Sequence, residues 1–123
     1  MALTTTPLGS SEFPDVSARE TVTTSTATTD IFDGAIALHS LVLDNSQNSG
    51  HNTYFKFYNA GSVTPANDLP NLVIRVEQSV STTVIIADGL SFSTAVSIRA
   101  IQGAADDNTT VPDSNTQTIL VGS

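Results

Sequence analysis

The sequence contains no cysteine and no tryptophan, and its 123 residues include only four basic residues against twelve acidic ones. The absence of cysteine excludes disulfide bonds and thiolate zinc sites. The formal net charge of -8 repels phosphate backbones and anionic lipid, so we expect neither nucleic acid nor a membrane as a partner. The chain also lacks a signal-peptide pattern and any apolar run of the roughly 20 residues that a membrane helix needs. These absences favour a protein that is made in the cytoplasm.

Uncharged polar residues supply most of the polarity, above all 18 threonines and 15 serines. Threonine favours strands because its branched Cβ packs well on a pleated surface. From Asp30 onward apolar and polar residues alternate, and no stretch shows the 3.6-residue spacing of an amphipathic helix. About seven short strands are separated by turn signals, which predicts an all-β fold. We expect an antiparallel β-sandwich or a jelly-roll-like barrel of about seven strands.

Two local patterns refine this expectation. The alternation of apolar residues changes phase at His39-Ser40, which predicts a β-bulge within the first confident strand. Asp88-Gly89 is a turn signal and predicts that the strand beginning near Val80 ends there.

The start of the chain differs in composition from the remainder. Residues 1–18 are rich in Thr, Ser and Pro, and their apolar residues recur at no regular spacing. We expect residues 1–18 to form an extended N-terminal arm and residues 19–123 to form the β-sandwich domain. The arm is either a flexible tail or a tether that becomes ordered on a neighbouring protein. In the second case its anchors, and thus candidate protein-contact residues, are Leu3, Leu8, Phe13 and Val16.

The sequence shows no arrangement that predicts catalysis or metal binding. It has no Gly-x-Ser-x-Gly motif and no glycine-rich phosphate loop, and its two histidines, His39 and His51, lack zinc-ligand spacing. We expect His39 in the bulge or on the sheet surface and His51 in an exposed turn. The acidic residues Asp30, Asp33 and Asp106-Asp107 fit turn capping and solvation better than a calcium loop. We therefore predict that the protein is not an enzyme and has no cofactor.

Three charged residues fall within predicted strands. Arg75 and Glu77 share one face, and Arg99 can lie opposite them. One interpretation is an exposed cross-strand charge pair, which contributes little stability. The other is a pair at a subunit interface, where the planar guanidinium of arginine is favoured. Arg75 and Arg99 are therefore added to the candidate contact residues.

Residues 41–103 carry four short motifs, which are a turn, a strand, a proline loop and a late turn-like segment. In this sequence they are Asn45-Ser46, then Tyr54, Lys56 and Tyr58-Asn59, then Thr64-Pro65, Asp68 and Pro70, and finally Asp88-Gly89-Leu90 and Phe92. These motifs resemble those of small structural proteins from tailed bacteriophages and cyanophages.

This resemblance implies a virion component, and most specifically a capsid decoration (cement) protein. Such a protein binds the outer capsid surface, has the major capsid protein as its partner, and is usually a homotrimer. The resemblance thus implies location on the virion after assembly in the host cytoplasm. A second interpretation of the function is that of a phage tail, adaptor or baseplate protein. A carbohydrate-binding module is a third, with Tyr54 and Tyr58 as the candidate aromatic platform.

Overall fold

The computed structural model describes residues 16–22, 27–65 and 67–123, and the regular structure within these ranges consists of β-strands alone. The strands are β1 Val16–Val22, β2 Ile36–Asp44, β3 Thr53–Asn59, β4 Leu72–Val76, β5 Ser81–Phe92, β6 Val96–Ile101 and β7 Thr116–Gly122. These ranges contain no helix that is long and apolar enough to cross a membrane.

The seven strands form two antiparallel sheets. Sheet A has the strand order β1-β7-β2-β5, and sheet B has the order β4-β3-β6. One apolar cluster joins residues of both sheets, among them Leu38 and Leu41 of sheet A and Phe55 and Phe57 of sheet B. Two sheets that bury their inner faces against each other make a β-sandwich. The predicted all-β fold class is confirmed.

The predicted β-bulge lies in β2. Both neighbours of this strand, β5 and β7, change register between Leu38 and Ser40. Side chains alternate between the two faces of a strand, so one extra residue exchanges the faces of everything that follows. The bulge therefore allows Leu38 on one side of it and Leu41 and Leu43 on the other to be fully buried in the same core.

Asp88-Gly89 does not end a strand, which corrects the prediction of a turn. β5 continues to Phe92, and its residues between Ile85 and Leu90 bulge opposite the β2 irregularity. Gly89 has a φ of 79°, and a Cβ there would lie 3.0 Å from His39 Cε1. The glycine thus accommodates a bulge and a close approach to β2 where the sequence suggested a chain reversal.

β1 is an edge strand that begins before the predicted domain boundary. It pairs with β7 from Val16, opposite Gly122, to Val22, opposite Thr116. Residues 16–18, which the sequence assigned to the arm, thus belong to sheet A. The three other predicted anchors, Leu3, Leu8 and Phe13, lie outside the described residues.

A buried asparagine joins several segments at one end of the sandwich. Asn45 follows β2 and is completely buried. Its amide oxygen accepts hydrogen bonds from Thr53 Oγ1 at 2.7 Å and from Asn48 Nδ2 at 2.9 Å. Its amide nitrogen lies within hydrogen-bonding distance of three carbonyl oxygens, those of His51 (3.2 Å), Val76 (3.3 Å) and Glu77 (3.1 Å). One side chain therefore connects the end of β2 in sheet A to β3 and β4 in sheet B.

The hydroxyl group of Thr118 is buried in the sandwich without a hydrogen-bond partner within the described part of the chain. Valine has nearly the same shape, and an unsatisfied buried polar group is costly. We expect Thr118→Val to raise the free energy of unfolding by about 1 kcal/mol and the melting temperature by about 4 °C. Thermal unfolding followed by circular dichroism tests this, with the exposed Thr21→Val as control. A lower melting temperature for Thr118→Val alone would contradict the expectation.

Candidate protein-binding surface

The outer face of sheet A carries a patch of aliphatic side chains, which we call the open face and define as Val42, Ile85, Ile119 and Val121. Val42 lies directly opposite Ile119, and Ser40 lies opposite both Ile85 and Val121. Residues opposite each other on antiparallel strands share a face, so these side chains are neighbours. Ile85 is 71% exposed, and the other three are half-buried.

Charged groups lie at the margins of the open face. Arg19 is opposite Ile119 on β1, and its Nη1 donates a hydrogen bond to Gln117 Oε1 at 3.1 Å. At the other margin the carboxylate of Asp44 accepts a hydrogen bond from the backbone N–H of Ser46 at 2.9 Å. The centre of the face is uncharged, although the chain has a net charge of -8. Apolar side chains that share an outward sheet face make this area a candidate for contact with another protein.

The loop of residues 102–115 covers the outer face of sheet B at β3 and β6, whereas Val73 and Arg75 of β4 remain exposed. Lys56 on β3 and Arg99 on β6 lie directly opposite each other beneath this loop, and both are fully buried. Lys56 Nζ donates to the carbonyl oxygen of Ala105. Arg99 donates to three oxygens, the Tyr58 hydroxyl (3.1 Å) and the carbonyl groups of Asp106 (3.3 Å) and Asn108 (2.5 Å). Two cations thus fasten the loop to sheet B.

Burial lowers the pKa of Lys56, because loss of hydration disfavours its ammonium form. The guanidinium of Arg99 lowers that pKa further, whereas the carboxylates of Asp106 and Asp107 raise it. The two acids therefore offset part of the repulsion between the buried cations. This gives the acidic pair a role in holding the loop, in addition to the solvation that the sequence suggested.

The predicted contact residues that the structure describes do not lie together. Val16 is 42% exposed at the start of β1, in sheet A. Arg75 lies on β4 in sheet B, where its Nη2 is 3.7 Å from Glu77 Oε1 and both side chains are exposed, which is compatible with a surface pair and with a pair at a subunit interface. Arg99 is completely buried, so its prediction as an exposed or subunit-contact residue is wrong. Carbonyl groups of the covering loop accept its hydrogen bonds.

Tyr54 and Tyr58 do not form an exposed aromatic platform. Tyr58 is 1% exposed, and its hydroxyl accepts a hydrogen bond from Arg99. Tyr54 is half-buried. Sugar stacking needs accessible ring faces, so this pair does not supply the platform that a carbohydrate-binding module would use.

The titratable side chains are dispersed. His51 Nε2 is 3.5 Å from Asp113 Oδ2 on the exposed surface, as expected for a turn histidine. His39 lies in the β2 bulge, with its Nε2 3.0 Å from Ser123 Oγ. Asp30 caps a turn by accepting a hydrogen bond from the N–H of Gly34 at 2.8 Å. The described ranges contain no group of three or more His, Cys, Asp or Glu residues that could hold a metal ion.

A shallow depression of about 450 Å³ lies where the end of β5 meets the start of β2. Its lining is apolar apart from serine hydroxyls and consists of Ala35, Ile36, Ala37, Ser91, Phe92, Ser93 and Ser123. General acid–base catalysis requires a titratable group within hydrogen-bonding reach of the substrate. The lining of this depression does not provide one.

No protein-family model, curated protein or solved structure matches this chain at a significant level.

The open face was missed in the sequence because β7 inverts the usual pattern. Thr116, Thr118 and Leu120 of this strand are buried, whereas Ile119 and Val121 point outward. Hydrophobicity alone would place the isoleucine and valine in the core. The alternation within the strand was the available signal. If Leu120 is placed in the core, its neighbours Ile119 and Val121 must lie on the opposite face.

Proposed function

We propose that this protein is a non-enzymatic structural component of a larger assembly, which it joins by placing the open face of sheet A against a partner protein. The observation that carries the proposal is the contrast between the two outer faces of the sandwich. The loop of residues 102–115 covers β3 and β6 of sheet B and leaves Val73 of β4 exposed, whereas sheet A presents the cluster of Val42, Ile85, Ile119 and Val121. Burial of aliphatic groups supplies most of the free energy of protein association.

The assembly that we propose is the capsid of a tailed bacteriophage, with the protein as a decoration protein on its outer surface. The motifs within residues 41–103 support this choice. The net charge of -8 suits a position on the outside of the shell, away from packaged nucleic acid. The partner is then the major capsid protein.

The proposed mechanism is mechanical. A specific interface usually buries about 1,200–2,000 Å² in total. A sandwich that contacts two neighbouring capsid subunits holds them at a high effective concentration, so the loss of one contact is followed by rapid rebinding. Many such contacts over a shell would raise its resistance to heat and to internal pressure.

The test is sedimentation of the purified chain with capsid shells that lack it. We expect the native chain to sediment with the shells and Val121→Glu to remain in the supernatant, because a carboxylate would have to be buried in the contact. Val73→Glu is the control, since Val73 is an exposed aliphatic residue on β4 of sheet B and thus lies outside the open face. Equal binding by all three proteins would contradict the role of the open face.

Electron microscopy of intact particles distinguishes a capsid decoration protein from a tail, adaptor or baseplate protein. Density for the sandwich over the whole capsid lattice supports decoration. Density confined to the tail or to the vertex that joins it supports a tail or adaptor protein and overturns the capsid assignment. Binding of the chain to a glycan array through sheet B would favour the carbohydrate-binding reading.

A further inference from the structure

The four sheet edges of the described sandwich differ in how well they are protected against pairing with another strand. On β6, the exposed edge is partly occupied, because Thr28 exchanges hydrogen bonds with Ile98 at 2.8 and 2.9 Å and the N–H of Ile31 donates to the carbonyl of Val96 at 3.0 Å. Such coverage is one of the ways in which proteins prevent edge-to-edge association.

Two other edges carry charge. β1 contains the consecutive charged residues Arg19 and Glu20, and β4 is only five residues long and contains Arg75. Short strands and charged side chains both disfavour the addition of a further strand.

β5 has none of these features along its first seven residues. It is the longest strand, at 12 residues, and residues 81–87 (STTVIIA) contain no charge, proline or glycine. No described residue pairs with its outer side. A strand of threonine, valine and isoleucine with these properties is well suited to pair with another chain.

The register shows which backbone groups of β5 face outward. The N–H of Asn45 donates to the carbonyl of Val80 at 2.9 Å, so in this antiparallel ladder the even-numbered residues Thr82 and Val84 bond to β2. The intervening residues Ser81, Thr83 and Ile85 therefore point their N–H and C=O groups to the open edge. Their side chains lie on the outer face, with that of Ile85 71% exposed.

We propose that two copies of this chain associate through antiparallel pairing of β5 with β5 about a two-fold axis at Thr83. In this register Thr83 faces its own copy, and Ser81 faces Ile85 of the second copy. The outward N–H and C=O groups then form hydrogen bonds in three residue pairs across the axis, which are Ser81 with Ile85, Thr83 with Thr83, and Ile85 with Ser81. Sheet A continues from one copy into the other, and Ile85 gains a cross-strand neighbour.

The local charge distribution allows a second copy to approach this edge. Two chains of net charge -8 repel each other, yet residues 81–87 bring together only uncharged side chains. The two-fold contact makes a dimer, whereas the resemblance to decoration proteins implies a trimer. The pairing uses the backbone edge of β5, whereas capsid binding uses the broad face of sheet A, and Ile85 belongs to both surfaces.

The test is the molar mass of the purified chain in solution, measured by sedimentation equilibrium. Because strand pairing gives an interface at the small end of the specific range, we expect a dimer at about 100 µM that dissociates on dilution. Two variants remove the pairing. Ile85→Lys places a charge at the contact, and Thr83→Pro removes an outward N–H without loss of a hydrogen bond to β2.

We expect both variants to be monomeric at the concentration where the native chain is dimeric, and the control Val73→Lys on β4 to remain dimeric. Unchanged circular dichroism spectra establish that the variants are folded. A native chain that is monomeric at this concentration, a trimer, or a dimer that persists in Ile85→Lys and Thr83→Pro would each overturn the proposal. Sedimentation with shells, as described above, reports on capsid binding separately.

Discussion

Asn45→Ala is expected to lower the free energy of unfolding by about 3–5 kcal/mol, since it leaves several buried polar groups without partners. The amide of Asn45 accepts hydrogen bonds from Thr53 and Asn48 and lies against three carbonyl groups. Alanine cannot replace any of these bonds. Urea denaturation followed by circular dichroism measures the loss.

The matched control is Asn52→Ala. Asn52 lies in the same segment, but its side chain accepts an exposed hydrogen bond, from the N–H of Gln78 at 3.2 Å. We expect this substitution to change the free energy of unfolding by less than about 1 kcal/mol. A similar loss in both variants would show that Asn45 acts only as a turn residue.

Asn45 shows where prediction from the sequence reaches its limit. Asn, Ser and Gly favour turns, and residues 45–52, which are rich in them, connect β2 to β3. Its burial could not be predicted, since it depends on β3 and β4 converging on the same place. The pattern of polar residues describes the local path of the chain, whereas burial depends on which distant segments meet.

The strands themselves were predictable for a physical reason. Side chains alternate across each strand, so a sandwich imposes the same period of two on its sequence. β4 follows this rule closely, with Leu72, Ile74 and Val76 turned inward and Val73 and Arg75 exposed. The bulge in β2 was visible as a change of phase.

Arg99 could not be placed by the same rule. The alternation in β6 correctly puts it on the outer face, but Arg99 is buried there because the loop of residues 102–115 lies over it and accepts its hydrogen bonds. A loop of this composition reads as solvated, and nothing local shows that it folds back over a sheet. The predicted surface arginine is therefore a structural residue.

Arg99→Ala is expected to destabilise the sandwich by about 3–4 kcal/mol. The substitution removes the largest fully buried side chain and its hydrogen bonds to Tyr58, Asp106 and Asn108. Arg75→Ala is the matched control, because the pair of Arg75 and Glu77 is 3.7 Å apart and exposed. An exposed ion pair contributes about 0–1 kcal/mol, and urea denaturation of both variants measures the difference.

Two further measurements distinguish loosening of the loop from general loss of stability. We expect the amide protons of residues 105–108 to exchange faster in Arg99→Ala under conditions where β3 remains protected, because the loop has lost one of its two fastenings. We also expect the pKa of Lys56 to rise, since the neighbouring guanidinium that lowers it is gone and the opened loop admits water.

Lys56 is the only lysine in the chain, so biosynthetic ¹³C-labelling of lysine gives a single side-chain Cε signal whose pH titration reports this pKa directly. An unchanged pKa together with unchanged exchange at residues 105–108 would mean that Arg99 does not hold the loop. If instead the loop opens and the sandwich stays folded, the outer face of sheet B becomes exposed as well. The contrast with sheet A, which underlies the proposed binding surface, would then depend on one buried arginine.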